Sequence, residues 1–292
     1  MKKGAFFTLG IMIVVILLFA LTSLIYKNSL ESKNRVADMG VLDRVFDIDH
    51  SIQKSLRRIF IIDSGLDISI TNYSISFLEP LPPNTQDEVF KSDNARFKTY
   101  VENANRDNPK ITINNTKFAE NLTLHLKPHN IIYTHPEGFG NEEIDIVPEE
   151  VNMKGYNFTI NVTEIILNPA FTWDIINECT LGDEGCIKFN ILVTSTLDLS
   201  ESDSKNLNAT QDNQLTIHLT SGDVVITINN PAKVNIDNGA NPFIIESVID
   251  LKKIDDNRVE VYYPENIITT ELEELNLVKK SAALIAAQNV TI

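Results

Sequence analysis

Three histidines fall within eleven residues, His125, His129 and His135, in the run Leu-His-Leu-Lys-Pro-His-Asn-Ile-Ile-Tyr-Thr-His. Three imidazoles can hold a zinc ion. Here nothing in the spacing forces them to converge, because His125 falls on the polar face of an alternating run that Pro128 should end. The expectation is three solvated histidines. Glu142, Glu143, Asp145, Glu149 and Glu150 follow, in a stretch bearing Gly138 and Gly140. Hard oxygen ligands of this kind suit calcium, but their spacing is not that of an EF-hand loop, and a solvated acidic loop is the plainer expectation. Asp198, Glu201 and Asp203 receive the same reading, and Trp173, between Phe171 and Ile175, reads as core rather than as a sugar platform. Paired carboxylates can hydrolyse glycosides, yet among 40 acidic residues no pair is singled out. No Gly-rich phosphate loop, His-Glu-x-x-His or Gly-x-Ser-x-Gly occurs. The sequence therefore assigns no catalytic, cofactor or metal residue.

Two other residue types are more telling. Cys179 and Cys186 flank Thr-Leu-Gly-Asp-Glu-Gly, a turn-rich insert just before a clear strand. Cysteines this close across such a turn can reach the Cα separation of a disulfide, which is expected to clip a hairpin and to contribute about 2–3 kcal/mol. A bridge implies an oxidising compartment. Asn-x-Ser/Thr sequons begin at Asn72, Asn114, Asn121, Asn157, Asn161, Asn208 and Asn289. Their number is only modestly above chance, and their placement says more. In Tyr156-Asn157-Phe158-Thr159-Ile160-Asn161-Val162-Thr163 the alternation puts the apolar residues on one face and both asparagines on the other. Asn121 alternates away from Leu122, Leu124 and Leu126, and Asn72 from Tyr73, Ile75 and Phe77. Glycans at such sites would leave a core undisturbed.

The elements carrying these residues hang from an unusual start. Lys2-Lys3-Gly4 precedes 22 uncharged residues, Ala5 to Tyr26. As a helix they would span about 30 Å, the hydrocarbon thickness of a bilayer, and they exceed the about 7–15 apolar residues of a secretory signal. The segment 1–26 therefore reads as a membrane anchor. Lysines flank it on both sides, so the positive-inside rule does not orient it. The net charge of −15, the sequons and the cysteine pair place the rest outside the cell and argue against nucleic acid as a partner.

Lys-Lys-Gly-Ala followed by Phe6-Phe7-Thr8-Leu9-Gly10-Ile11-Met12-Ile13-Val14-Val15 resembles the start of type IV pilins and pseudopilins, over roughly the first 30 residues. The resemblance implies cleavage by a prepilin peptidase after Gly4 or Ala5. It also implies packing of the apolar helix with other pilus or secretion-system subunits at an archaeal or bacterial surface. Gly10 stands where the family usually carries a glutamate.

Beyond Tyr26, residues 27–62 carry apolar side chains at Met39, Leu42, Val45, Ile52, Leu56 and Ile59, an amphipathic helix that Asp63-Ser64-Gly65 should stop. Residues 63–108 read as a hairpin, Ile68–Ile70 with Tyr73–Phe77, a break at Glu79-Pro80-Leu81-Pro82-Pro83, and a helix opened by the capping box Thr85–Glu88 with Phe90, Phe97, Tyr100 and Val101 on one side. Residues 109–268 give strand signals at 111–118, 122–126, 156–162, 187–199, 215–219, 224–228, 243–251 and 258–263, with hairpin turns at Ser221-Gly222-Asp223 and Asp255-Asp256-Asn257. Residues 269–292 read as a final helix or tail. The fold class expected is membrane-anchored α+β, a long N-terminal helix followed by an antiparallel β-sandwich-like ectodomain. The function expected is that of a non-enzymatic single-pass surface protein with lipid and homo-oligomeric or pilus-type partners. The alternative is a tethered module binding a ligand or calcium at residues 135–150.

Overall fold

The computed structural model describes the chain except residues 1, 84–87, 106–108, 116–121, 128–129, 136–142, 149–152, 163–169, 196–199, 240, 253–257 and 290–292; side chains are also left undescribed at 2–15, 34, 36, 37, 258, 265, 274, 288 and 289. Helix α1 runs unbroken over Lys2–Ser64. It stops where the sequence says it should, at Gly65 with φ 73°, the left-handed conformation glycine enters without a Cβ penalty. Ser64 closes the end by donating to the Phe60 carbonyl and accepting from the Leu66 amide at 3.2 Å. Of the expected stripe, Val45, Ile52 and Leu56 are buried together with Phe60, whereas Met39 is exposed. Helix α2, Glu88–Ala104, buries Phe90 and Val101 but leaves Tyr100 in solvent. All but the last residue of its expected capping box lies outside the described residues.

The strands are β1 (Asp67–Ile70), β2 (Ser74–Leu81), β3 (Lys110–Asn114), β4 (Leu122–Lys127), β5 (Ile131–His135), β6 (Glu143–Pro148), β7 (Met153–Val162) and β8 (Ala170–Ile175). They continue as β9 (Cys186–Ser195), β10 (Ser200–Asn208), β11 (Asn213–His218), β12 (Asp223–Asn229), β13 (Lys233–Asp237), β14 (Phe243–Leu251), β15 (Arg258–Leu272) and β16 (Leu277–Asn289). One sheet has the order β1-β2-β14-β7-β9-β10. The other has β16-β15-β4-β5-β6-β13-β12-β11-β8, with β3 also on β15. Their inner faces share one apolar cluster with Ile52, Leu56 and Phe60 of α1. The architecture is a β-sandwich-like α+β fold.

Several expectations need correction. The sheets are not wholly antiparallel, because β7 and β9 pair in parallel from Gly155↔Lys188 to Val162↔Ser195. Strand β2 runs through Pro80 to Leu81, and Pro80 lies beyond the end of β1. There, among the described residues, β2 has a strand neighbour on one side, the setting in which a strand tolerates a missing donor. Strands β14 and β15 belong to different sheets and do not pair with each other; the turn expected at Asp255-Asp256-Asn257 lies outside the described residues. The turn at Ser221-Gly222-Asp223 is a hairpin, with the Leu219 amide donating to the Gly222 carbonyl at 3.0 Å. The C-terminal segment is the long strand β16 rather than a helix, paired with β15 from Arg258↔Asn289 to Leu272↔Leu277. Its Ala, Leu and Lys favour helix locally, and cross-strand pairing overrides that preference.

The two sheets end at two seams, and these are closed differently. At one, β1 and β16 come together against α1, where Arg57 lines a small pocket with Ile68, Ile70, Ala286 and Ala287. Gln53 acts there as a surrogate strand residue. Its Nε2 donates to the Ala282 carbonyl at 2.9 Å, and its Oε1 accepts from the Leu284 amide at 2.7 Å. Asp49 accepts from Lys279 Nζ at 2.5 Å and Ser281 Oγ at 2.8 Å. At the other seam, edge strands β8 and β10 meet through the Trp173 indole, which donates to Asp203 Oδ2 at 2.7 Å.

Candidate functional site

The exposed half of α1 comes first. Ile16, Leu17, Leu18, Phe19, Leu21, Leu24, Ile25 and Tyr26 all lie at the surface, with Phe19 74% accessible. Eight large apolar residues within eleven positions put apolar surface on every side of the helix, unlike the one-faced stripe further along. Thr22 is satisfied internally, its hydroxyl donating to the Leu18 carbonyl at 2.5 Å, so it imposes no unmet polar group on an apolar surrounding. Gly4 and Ala5, the expected processing residues, lie in the same helix. Among the described residues no helix is long and apolar enough to cross a membrane. The side chains of residues 5–15, the first half of the apolar run, are outside that description.

The disulfide is present between Cys179 and Cys186, with Cα atoms 5.9 Å apart. It does not clip a hairpin, as the sequence suggested. Residues 176–179 leave β8 of one sheet and run along the edge of β10 in the other, with the Cys179 amide donating to the Asn206 carbonyl at 3.1 Å and the Asn208 amide to Asn177 at 2.8 Å. The bridge therefore staples a crossover between sheets, at the second seam.

The sequons separate by environment. Asn72 is exposed in the turn between β1 and β2, and Asn114 is exposed at the end of β3. Asn208 Oδ1 accepts from its own sequon threonine, Thr210, through Oγ1 at 2.7 Å and the amide at 3.1 Å. Asn161 is exposed and accepts from the Thr194 hydroxyl. Asn157 is half-buried in a chain of side-chain bonds across four strands, donating its Nδ2 to Asp250 at 2.5 Å and accepting from Asn190, which accepts from Ser204. The alternation read from sequence is correct, but the nitrogen that would carry a glycan at Asn157 is already engaged. Asn121 and the side chain of Asn289 lie outside the described residues.

His125 and His135 do not come together. His125 projects on the outer face of β4 beside Tyr262, ring centroids 5.7 Å apart, while His135 points into the sandwich. His129 is outside the described residues. The expectation of a solvated His135 fails: it is 4% exposed and its Nε2 lies 2.9 Å from Glu79 Oε2. Tyr133 donates its hydroxyl to Glu79 Oε1 and stacks on Phe77. Burial first, and then the Glu79 charge, pushes the Tyr133 phenol well above its usual range. This buried cluster links β2 of one sheet to β5 of the other. Sequence reasoning missed it, although Glu79 stands in the apolar parity Ile75, Phe77, Leu81, which was its signal.

The acidic stretch is also not a plain loop. Glu143 and Asp145 lie in β6, where Asn235 Nδ2 donates to both, at 3.1 and 2.9 Å, and Lys233 pairs with Asp145 at 3.3 Å. Glu142, Glu149 and Glu150 lie outside the described residues. Glu201 and Asp203 belong to β10 rather than a loop, with Asp198 undescribed. Trp173 packs against the core, edge-on to Phe189 at 5.7 Å. Among the described residues no three His, Cys, Asp or Glu side chains are arranged to hold a metal ion.

One further string was missed. His218 Nδ1 lies 2.8 Å from Asp223 Oδ1, and its Nε2 lies 3.0 Å from Thr172 Oγ1. Such an order orients an imidazole toward a hydroxyl. His218 and Asp223 are 44% and 53% exposed, so water screens the field that a buried triad would exploit.

Comparison with known protein families, curated proteins and solved structures finds no match. Function is therefore read from the chain's own geometry.

Proposed function

We propose that the chain is a single-pass cell-surface protein whose α1 helix is shared between two surroundings, lipid at its N-terminal end and the sandwich at its C-terminal end. The observation that carries this reading is the change along one continuous helix. From Ile16 to Tyr26 the apolar side chains are exposed on all sides, and from Val45 to Phe60 they are buried in one stripe. An all-round apolar surface is stable when lipid or other apolar helices surround it. The Cys179–Cys186 bridge fits an oxidising exterior, and the sequon asparagines Asn72, Asn114 and Asn161 lie at the surface. Within this class the role is that of a pilin-like or pseudopilin-like subunit in assembly or adhesion, in keeping with the resemblance of the first residues. The reading is non-enzymatic.

Mass spectrometry of the N-terminal peptide from protein isolated in its native membrane tests the sharper version. A mature chain beginning at Ala5 or Phe6 supports pilin-type processing and assembly. A chain that still carries Lys2 and Lys3 removes the pilin version and leaves a plain tethered ectodomain.

A further inference from the structure

A cleft of about 1000 Å³ lies beside the disulfide loop, lined by the starts of β7 and β9, the end of β14, Leu181–Gly185 and Thr210. Lys154, Lys188, Lys252 and Asp250 line its sheet side, and Asp183 and Glu184 line it from the loop; Asp250 Oδ2 already accepts from Asn157 Nδ2 at 2.5 Å. In a chain of net charge −15 with 25 cationic residues, three lysines against three carboxylates make this lining balanced rather than acidic. Among the described residues none of the three has an ion-pair partner, although carboxylates stand opposite them; Lys154 instead sits over the Tyr73 ring at 5.5 Å.

Two features of the backbone shape this cleft. The register of β14 on β7 shifts at one step, from Asp250↔Gly155 to Leu251↔Met153, so Lys154 is the extra residue of a bulge. Bulges re-aim side chains, and this one turns Lys154 outward. Gly155 is obligatory there, because a Cβ would stand 2.0 Å from the Lys188 carbonyl oxygen. On the other side, the loop 180–185 is closed by the disulfide. It contains Gly182 and Gly185 at φ 108° and 77°, and is pinned by the amides of Asp183 and Cys186, which donate at 3.0 and 3.2 Å. The wall is therefore preformed rather than ordered by a ligand.

The charges select a ligand. Three ammonium groups call for anions. Asp183 and Glu184 repel a dense polyanion and accept hydrogen bonds from hydroxyls. Leu181 and the lysine stems offer apolar cover for C–H surfaces. A molecule meeting all three has spaced single carboxylates on a hydroxyl-rich frame. The lysines come from, or directly follow, three neighbouring strands, which at about 4.8 Å per strand span about 10 Å, more than a single small anion covers.

We propose that this cleft binds a carboxylated saccharide, with Lys154, Lys188 and Lys252 holding carboxylates and Asp183 and Glu184 accepting from sugar hydroxyls. The proposal deepens the adhesion reading by naming the ligand class; it does not depend on the anchor, so its test is run on the full chain in detergent. Isothermal titration with hexagalacturonate is compared with maltohexaose and with inorganic phosphate. Hexagalacturonate is expected to bind, about fivefold or more weakly with each of Lys154→Ala, Lys188→Ala and Lys252→Ala, and unchanged with the outlying Lys98→Ala. Asp183→Asn with Glu184→Gln is expected to erode the preference over phosphate. All these side chains but that of Lys98 are exposed, so melting temperature serves as the check that each variant folds. No binding of hexagalacturonate, equal binding of maltohexaose or phosphate, or binding indifferent to the three cleft lysines would each overturn the proposal. None of these outcomes bears on where α1 resides.

Discussion

The two seams of the sandwich solve one problem in two ways. Where β1 and β16 end their sheets, a helix is laid across the gap. Ile52, Leu56 and Phe60 enter the common core, and Gln53 completes the hydrogen bonding of β16. Where β8 and β10 end theirs, no helix is present among the described residues. The Trp173–Asp203 bond and the Cys179–Cys186 bridge act as point fasteners. The first seam gains from apolar area, at about 1.5–3 kcal/mol for each large side chain fully buried. The second gains from two directed links. The difference follows from position: the first seam is continuous with the exposed apolar half of α1, so under the proposed reading the helix that would carry the attachment also closes the core. The second borders the lysine cleft proposed above as a saccharide site, which a helix laid there would fill.

If that contrast holds, the largest single loss belongs to the helical seam. Phe60→Ala should cost about 3–5 kcal/mol in denaturant unfolding, since Phe60 is fully buried within the shared apolar cluster. Removing the bridge with Cys179→Ser and Cys186→Ser should cost about 2–3 kcal/mol, and its effect on calorimetric melting should be reproduced by reduction of the native chain. Gln53→Leu keeps the volume but strands an amide and a carbonyl of β16, for about 1–3 kcal/mol. Trp173→Phe, which removes one partly exposed hydrogen bond, should cost about 1 kcal/mol. A loss at Trp173 larger than at Phe60 would reverse the comparison.

The smallest effect is one of pH. Tyr133 and Tyr156 are both pushed well above the usual phenol range by burial. A raised folded value contributes stability that is complete below the unfolded value of about 10 and is lost as pH rises through the folded one. Melting temperature should therefore show no tyrosine-linked change below about pH 9.5 and should fall above about pH 10. Tyr156→Phe should lose about 1 kcal/mol at neutral pH, from its 2.7 Å bond to the Ala232 carbonyl, and should show a shallower alkaline decline.

Much of this fold is legible in the sequence where local pattern and tertiary demand agree. Phe243–Leu251 puts Phe243, Ile245, Ile249 and Leu251 on one face and forms β14 with those bounds. The helix stop at Gly65 and the cysteine pairing likewise depend on few, local constraints. Legibility ends where distant partners decide. Leu277–Asn289 carries good helix formers and becomes a strand because β15 presents a long edge to it. The parallel pairing of β7 with β9 leaves no local mark, since alternation is the same in either direction. His135 looks solvated beside Pro136 and is buried because Glu79, 56 residues earlier, meets it across the sandwich. The lysine cleft was illegible for the same reason: its three cations are scattered between positions 154 and 252, and only a bulge and a crossover gather them.

The division of α1 is the central claim, and membrane flotation after alkaline carbonate washing tests it most directly. The full chain is compared with a chain lacking residues 2–26. The full chain is expected to remain in the membrane fraction, while the shortened chain is released and keeps its β-sheet circular dichroism and melting temperature. A full chain washed off by carbonate, or a shortened chain that still floats with the membrane, would contradict that division.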